Sequence, residues 1–451
     1  VTDIDVAPAV PAGPPKAPSR TRRRAWTVTV LLVVFMMINF ADKSVLGLAA
    51  EEIRQDLGLS ASAFGLASSA FFLLFSVSGA AVGLLADRVR PKWLLLIMAV
   101  LWSVSQAPLA VGGGLAVLIA SRVLLGAAEG PAYPVAQQTT LSWFPNHRRN
   151  LPGALIVLGI TLGVLVAAPV LTWLITHHGW RSAVAAVALA GVVWTLLWIP
   201  FGGEGPYAAM SDSGSPAEAA SDDRMDTSRG TGAETAREAQ AQMPYRRILA
   251  TRTWIGVTTG YFSTYWVIAF ALVWLPSYLQ DGLGYSSATS TQLLMLFWGL
   301  SGILVLAQAA LTGWMLRRGI ASRRARGWVG GGLLLTSGVS CLALPAAPAG
   351  AVTVVLLIAA FGLAGAMGSI AATAIMELAP AHRRGGALGF MNAVVTTAGL
   401  IAPTLIGSLV DTHGPGGYQY AVLITGGLLL VGGTAAVTLI DPARDARLLS
   451  G

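Results

Sequence analysis

The chain of 451 residues is 55% hydrophobic and only 11% charged, with 29 Lys and Arg against 21 Asp and Glu and a net charge of +8. Soluble globular proteins carry roughly 25% charged residues, so this chain has too few to cover a water-facing surface. A mean hydropathy of +0.67 and apolar runs near the ~20 residues that cross a bilayer as helix point to a polytopic membrane protein. The runs are continuous rather than alternating, which excludes a β-barrel and makes the spans helical, since lipid offers no partner to an unpaired backbone group.

The Pro- and Ala-rich stretch 1–24 ends in Arg20, Arg22, Arg23 and Arg24 and reads as a disordered N-terminus. The apolar run from Trp26 to Leu48 is longer than a signal-peptide core of about 7–15 residues, so it is read as a retained first span. Further spans are expected near 62–85, 93–112, 115–139, 150–174 and 181–201, completing an N-terminal half over 25–201. Residues 202–250, dense in Ser, Ala, Glu, Asp and Gly, cannot bury enough apolar surface to order themselves and read as a flexible linker. A C-terminal half over 251–440 follows, with spans near 254–276, 291–316, 327–347, 351–376, 385–409 and 418–440, and a tail over 441–451.

Sorted against these loops, 25 of the 29 Lys and Arg fall on one face, only Arg54 and Arg181 on the other, and Lys43 and Arg122 within spans. The positive-inside rule makes the basic face cytoplasmic. Both termini and the linker are therefore expected in the cytoplasm and the span count is even. The basic excess thus reports topology, and the lipid bilayer rather than nucleic acid is the expected partner. Cys341 is the one cysteine, which excludes an intrachain disulfide and a thiolate metal cluster.

Pro145-Asn146-His147-Arg148-Arg149 with Gly153-Ala154-Leu155 recurs as Pro380-Ala381-His382-Arg383-Arg384 with Gly386-Ala387-Leu388, an offset of 235 residues. Gly83 to Arg88 recurs as Gly313 to Arg318 at an offset of 230. Two matches at nearly one offset indicate a duplicated six-helix unit, and such repeats place a substrate path between the halves.

Ionisable groups inside a bilayer cost several kcal/mol and mark a pathway or a partner. Four stand out: Asp42 and Lys43 in the first span, Arg122 and Glu129 in the fourth. At ~1.5 Å per residue Asp42 and Arg122 lie at similar heights, and Arg122 and Glu129, seven apart, share a helix face. An arginine suits bidentate contact with a carboxylate, and a desolvated carboxyl group carries a proton, so Arg122 or Lys43 is expected to attract an anion while Asp42 and Glu129 couple protons. A permanent Asp42–Arg122 salt bridge between the two spans is the structural alternative, and Lys43 has a second one, snorkelling toward the interface. In the other half the polar candidates are Tyr261, Tyr265, Ser369 and Asn392.

The repeat, together with Gly83-Leu84-Leu85-Ala86-Asp87-Arg88 after the second span, resembles the major facilitator superfamily, which implies twelve helices in two pseudo-symmetric halves and alternating access. In that setting Gly83, Asp87 and Arg88 form a gating motif, with Asp87 bonding a helix N-terminus across the halves; Arg317 stands at the Asp position of the second copy. Span four, Ser121-Arg122-Val123-Leu124-Leu125-Gly126-Ala127-Ala128-Glu129-Gly130-Pro131-Ala132-Tyr133-Pro134, with Trp143-Phe144-Pro145, Gly179-Trp180-Arg181 and Trp274 to Leu279, is similar to the anion:cation symporter family. The resemblance implies proton symport, with sodium as the other coupling ion left open, Arg122 as anion ligand, and Asp42 and Glu129 as coupling carboxylates. Where sugar-acid members carry tyrosine and arginine in the first span, this chain has Phe40 and Lys43; Phe75, Ile160 and Ala372 replace further polar or large groups, while Asn392 and Ser369 are kept. Fewer hydroxyl-reading groups imply an organic anion with fewer hydroxyls than a sugar acid, such as an aromatic or short-chain carboxylate.

A proton-driven exporter is the runner-up, but Val164 follows Gly163 where exporters carry a Gly-Pro. A membrane enzyme or receptor is the reading from another class; five histidines form no HExxH arrangement, and Gly112-Gly113-Gly114 and Gly330-Gly331-Gly332 precede no Walker-type lysine. No cofactor, no catalytic residue and no metal are expected, and a monomer is.

Overall fold

The computed structural model describes residues 19–85, 89–144, 150–207, 244–348, 350–380 and 383–450. The expected gating residues Asp87 and Arg88, most of the N-terminal segment, and residues 208–243 of the expected linker lie outside these. Gly83 falls within the second helix.

Twelve apolar helices follow in order: α1 Ser19–Leu48, α2 Ala61–Leu85, α3 Pro91–Val111, α4 Leu115–Leu141, α5 Asn150–His178, α6 Trp180–Phe201, α7 Arg252–Val273, α8 Ser287–Arg317, α9 Arg323–Ala346, α10 Ala351–Leu378, α11 Arg384–His413 and α12 Gly417–Leu439. The apolar segment Arg384–Leu439 is two helices, because the 3-10 turn Gly414–Gly416 reverses the chain within it. Several ends differ from those read in the sequence. Helix α1 starts at Ser19, inside the stretch expected to be disordered, since arginine is a good helix former and Arg24 finds the Trp143 ring 5.6 Å away. Helix α8 starts four residues early because Ser286 caps it, its side chain accepting from Thr289 N at 3.2 Å. Helix α7 stops at Val273, and Pro276 sits in the short turn Leu275–Ser277, where its missing N–H costs nothing. The expected linker is ordered at both edges. Tyr207 N and Gly205 N donate to the carbonyl and the hydroxyl oxygen of Ser142, at 3.0 and 2.9 Å, and Tyr245–Leu249 is a short helix.

In the first half α1 packs on α5 and α6, α2 on α4, and α3 on α4 and α6; in the second, α7 packs on α10, α11 and α12, and α9 on α12. The halves meet chiefly through α2 against α11 and α5 against α8. Counted within each half, the second helix of one meets the fifth of the other, twice, as a duplicated unit with a two-fold axis between its copies requires.

The α2–α11 contact is drawn together from one end. Asp411, near the end of α11, accepts from Ala61 N at 2.8 Å and Ser62 N at 2.7 Å, and from the Ser62 hydroxyl. These are the open N–H groups at the start of α2, where the helix dipole also favours a negative charge. One turn further in, Gly65 lies so close to α11 that a Cβ would stand 2.3 Å from the Pro403 carbonyl oxygen. Thr404 then donates to Ser69 at 2.9 Å, and Ser76 meets Thr396. Thr172 and Thr291, 3.2 Å apart, join α5 to α8. Among the described residues the terminus-side parts of α4 and α10 have their main partners within their own halves. Among the described residues the halves are thus closed at the end away from the termini.

Charge-assisted hydrogen bonds contribute about 1.5–3 kcal/mol, so Asp411→Ala should loosen this closure by roughly tenfold or more. In a Cys341→Ser background, maleimide labelling of Ser69→Cys, which lies buried at the contact, should then accelerate; an unchanged rate would mean that backbone packing alone holds the end shut.

Candidate functional site

Helix α1 brings Asn39, Asp42 and Lys43 to the middle of the first half, and α4 brings Arg122 and Glu129 to meet them. The approach is close because α4 lacks side chains where it crosses α2: a Cβ on Gly126 would stand 1.8 Å from the Phe71 carbonyl oxygen. Gly130 and Pro131 interrupt α4 directly after Glu129, dividing it into Leu115–Glu129 and Ala132–Leu141.

All four ionisable groups read from the sequence fall into one cluster. Asp42, Arg122 and Glu129 are 1%, 3% and 1% exposed, so their partners must come from the protein. Lys43 Nζ lies 3.0 Å from Glu129 Oε2 and donates to Asn39 Oδ1 at 2.6 Å. It does not snorkel. The permanent Asp42–Arg122 salt bridge is absent as well: no ion pair within 4.0 Å joins these residues, although both are described. The reason is steric order along α1, since Asp42 turns toward α3, where Gln106 Nε2 donates to its Oδ2 at 2.9 Å, and Lys43 takes the carboxylate of α4.

The Asp42 and Glu129 carboxyl groups are electrostatic neighbours, and both interact with Arg122. Asp42 Oδ1, Glu129 Oε1 and the Nε and Nη2 atoms of Arg122 have no hydrogen-bond partner among the described residues. Two neighbouring ionised carboxyl groups offer each other only acceptors, and a proton on one of them supplies the donor. Arg122 therefore keeps two buried donors for a ligand, whereas Lys43 is already engaged.

Around the cluster stands an aromatic wall. Lys43 Nζ lies 4.4 Å from the Phe40 ring centroid, 5.5 Å from Phe75 and 5.9 Å from Phe71. Phe72 meets Tyr265 of the other half edge-on at 6.0 Å, and Tyr265 meets Tyr261 at 6.2 Å. Phe40, Phe75, Tyr261 and Tyr265 are all half-buried. Ser369 is turned aside, donating to Gln308 Oε1 of α8 at 2.9 Å and to Ala366 O at 3.1 Å. The Asn392 amide, half-buried on α11, makes no side-chain hydrogen bond among the described residues. Asn39 and Gln106 were not singled out in the sequence. Their signal was present, since amides inside apolar spans are also costly unless paired. No group of three or more His, Cys, Asp or Glu among the described residues could hold a metal ion.

The family model described as Major Facilitator Superfamily matches residues 32–374 and 319–450. The chain belongs to the major facilitator superfamily. It is 28% identical over 421 residues to a hexuronate transporter of Bacillus subtilis (strain 168), covering 92% of this chain and 94% of that one. It is 27% identical to a "Probable sulfoacetate transporter" of Cupriavidus necator, covering 94% and 95%, and 24% identical to a D-galactonate transporter of Escherichia coli O6:H1, covering 94% and 97%. Among solved structures, a bacterial homolog of the human lysosomal transporter Spinster, inward-facing and occupied, superposes with a TM-score of 0.72 at 16% identity, covering 95% of this chain and 99% of that one. A D-xylose–proton symporter superposes at 0.71, also at 16% identity, covering 93% and 99%. These likenesses show the fold of a multi-pass membrane transporter, and the relatives are transporters of small organic anions rather than enzymes.

Removing one member of a buried ion pair strands the other and costs about 3–5 kcal/mol, whereas replacing both is far milder. Thermal unfolding in detergent should therefore show Glu129→Leu as strongly destabilised and Lys43→Met/Glu129→Leu as substantially recovered. Additive losses would contradict the pairing.

Proposed function

We propose that this transporter imports an organic carboxylate, less hydroxylated than a sugar acid, by proton symport with alternating access. One observation carries the reading: two buried carboxyl groups share a cluster with two cations, Lys43 engaged in an ion pair and Arg122 buried with donors to spare. With both carboxyls ionised the cluster is neutral; one proton between them makes it singly positive. A net charge is expensive in a low-dielectric interior, so protonation raises the site's affinity for an anion, and an anion on Arg122 raises its affinity for the proton. The two enter together and leave together, as reciprocal coupling requires. Arg122, with Nε and Nη2 unpartnered, presents the fork that matches a carboxylate, while Lys43 holds Glu129 in register and supplies positive potential.

The small organic anions named for the relatives support an anionic substrate. The positive-inside charge bias supports cytoplasmic termini in the cell membrane. In that orientation the closed α2–α11 end faces outward. The transport cycle then alternates this arrangement with one in which the Asp411 contacts have parted.

In proteoliposomes, uptake driven by an inward proton gradient should be lost in Glu129→Gln while substrate counterflow persists; driven uptake at the wild-type rate would remove Glu129 from coupling. A sodium gradient that replaces the proton gradient would reassign the coupling ion. Arg122→Ala should weaken anion binding at least about hundredfold, the scale of a lost charge-assisted contact whose partner stays buried; wild-type affinity would leave Arg122 a purely structural cation.

A further inference from the structure

We infer that the carboxylate taken by this site is carried on an aromatic ring: the substrate class is an aryl carboxylate, its ring held between phenylalanines of one half and tyrosines of the other. The inference rests on the anion-symport reading and deepens it. Three features of the site carry it.

The first is what surrounds the cations. Phe40, Phe71 and Phe75 all lie within 6 Å of Lys43 Nζ, so three ring faces gather at the cation that shares the cluster with Arg122. The opposite half answers with Tyr261 and Tyr265, and the Phe72–Tyr265 contact at 6.0 Å forms the roof where the two walls meet. A flat ring next to the carboxylate would lie against aromatic faces and edges from both halves, the arrangement aromatic groups prefer.

The second is how little hydrogen-bonding capacity is left. Asn39 Oδ1 is spent on Lys43, Gln106 Nε2 on Asp42, Ser369 on Gln308, and Ser76 on Thr396, which leaves Asn39 Nδ2 and Gln106 Oε1 unpartnered among the described residues. A polyhydroxylated chain would regain few partners for the water it loses here, which costs free energy for each hydroxyl left unpaired. On the side of the second half what remains are the Asn392 amide and the hydroxyl groups of Tyr261 and Tyr265, enough for one polar substituent on the far side of a ring.

The third feature separates this reading from the other use of aromatic walls, the capture of organic cations. The ring faces of Phe40, Phe71 and Phe75 already lie toward Lys43, and Arg122 stands in the same cluster. A cationic guest would meet like charge.

The test is direct binding to the purified full chain, at one pH, of benzoate, cyclohexanecarboxylate, glucuronate and benzamide. Benzoate should bind roughly tenfold more tightly than cyclohexanecarboxylate, the factor supplied by a favourable aromatic pair, and more tightly still than glucuronate. Phe75→Leu should erase most of the preference for benzoate over cyclohexanecarboxylate, while Phe75→Tyr should keep it. Cyclohexanecarboxylate or glucuronate binding as tightly as benzoate would overturn the aryl assignment and leave the anion reading intact. Benzamide matching benzoate would overturn the anion reading itself, and an absence of binding by every carboxylate would overturn both.

Discussion

Charge inside a bilayer is the constraint on which the rest of this molecule turns. Four ionisable side chains sit where water cannot screen them, and each must be matched by a neighbour or neutralised by a proton. The pairing found is not the symmetric one that two cations and two carboxylates suggest. Lys43 takes Glu129, and Gln106 takes one oxygen of Asp42. Arg122 is left with donors unspent. An imbalance that would be a defect in a structural core is what allows a site to respond to both a proton and an anion.

The scaffold supplies that imbalance by close backbone approach. Gly126 lets α4 press its backbone onto α2, which brings Arg122 and Glu129 to α1. Gly65 lets α2 press onto α11 of the other half, and the Asp411 carboxylate secures that contact by filling the open N-terminus of α2. The same helix α2 therefore lines the site with Phe71 and Phe75 on one side and forms the closure between halves on the other. A shift of α2 that opens the far end would move the aromatic wall beside Lys43, which gives substrate binding and access a shared mechanical element. The halves contribute differently: the ionic chemistry lies in the first, and the second presents aromatic hydroxyls and an amide across the gap.

The family membership and the anion-transporting relatives agree with the fold and with a small organic anion as cargo. The reading of a less hydroxylated substrate comes instead from this chain's own residues, from phenylalanines beside Lys43 and from polar side chains already committed to each other.

Composition, run length and the repeated loop motifs were sufficient for twelve helices in two related halves, because a bilayer permits few other solutions for a chain so poor in charge. The four embedded charges were equally legible, since the cost of burying them leaves a signal in any apolar stretch. Their partners were not. Helix spacing put Arg122 and Glu129 on one face and Asp42 at a matching height, but the rotation of α1 decides whether Asp42 or Lys43 meets α4, and packing sets that rotation. Asn39 and Gln106 carried the same kind of signal, weaker because an amide costs less to bury than a charge. Ser369 looked like a ligand in the sequence and was claimed by Gln308, sixty-one residues away in the chain. Length and polarity are local properties that water and lipid read directly; who pairs with whom depends on which helices touch, and only the tertiary structure decides that.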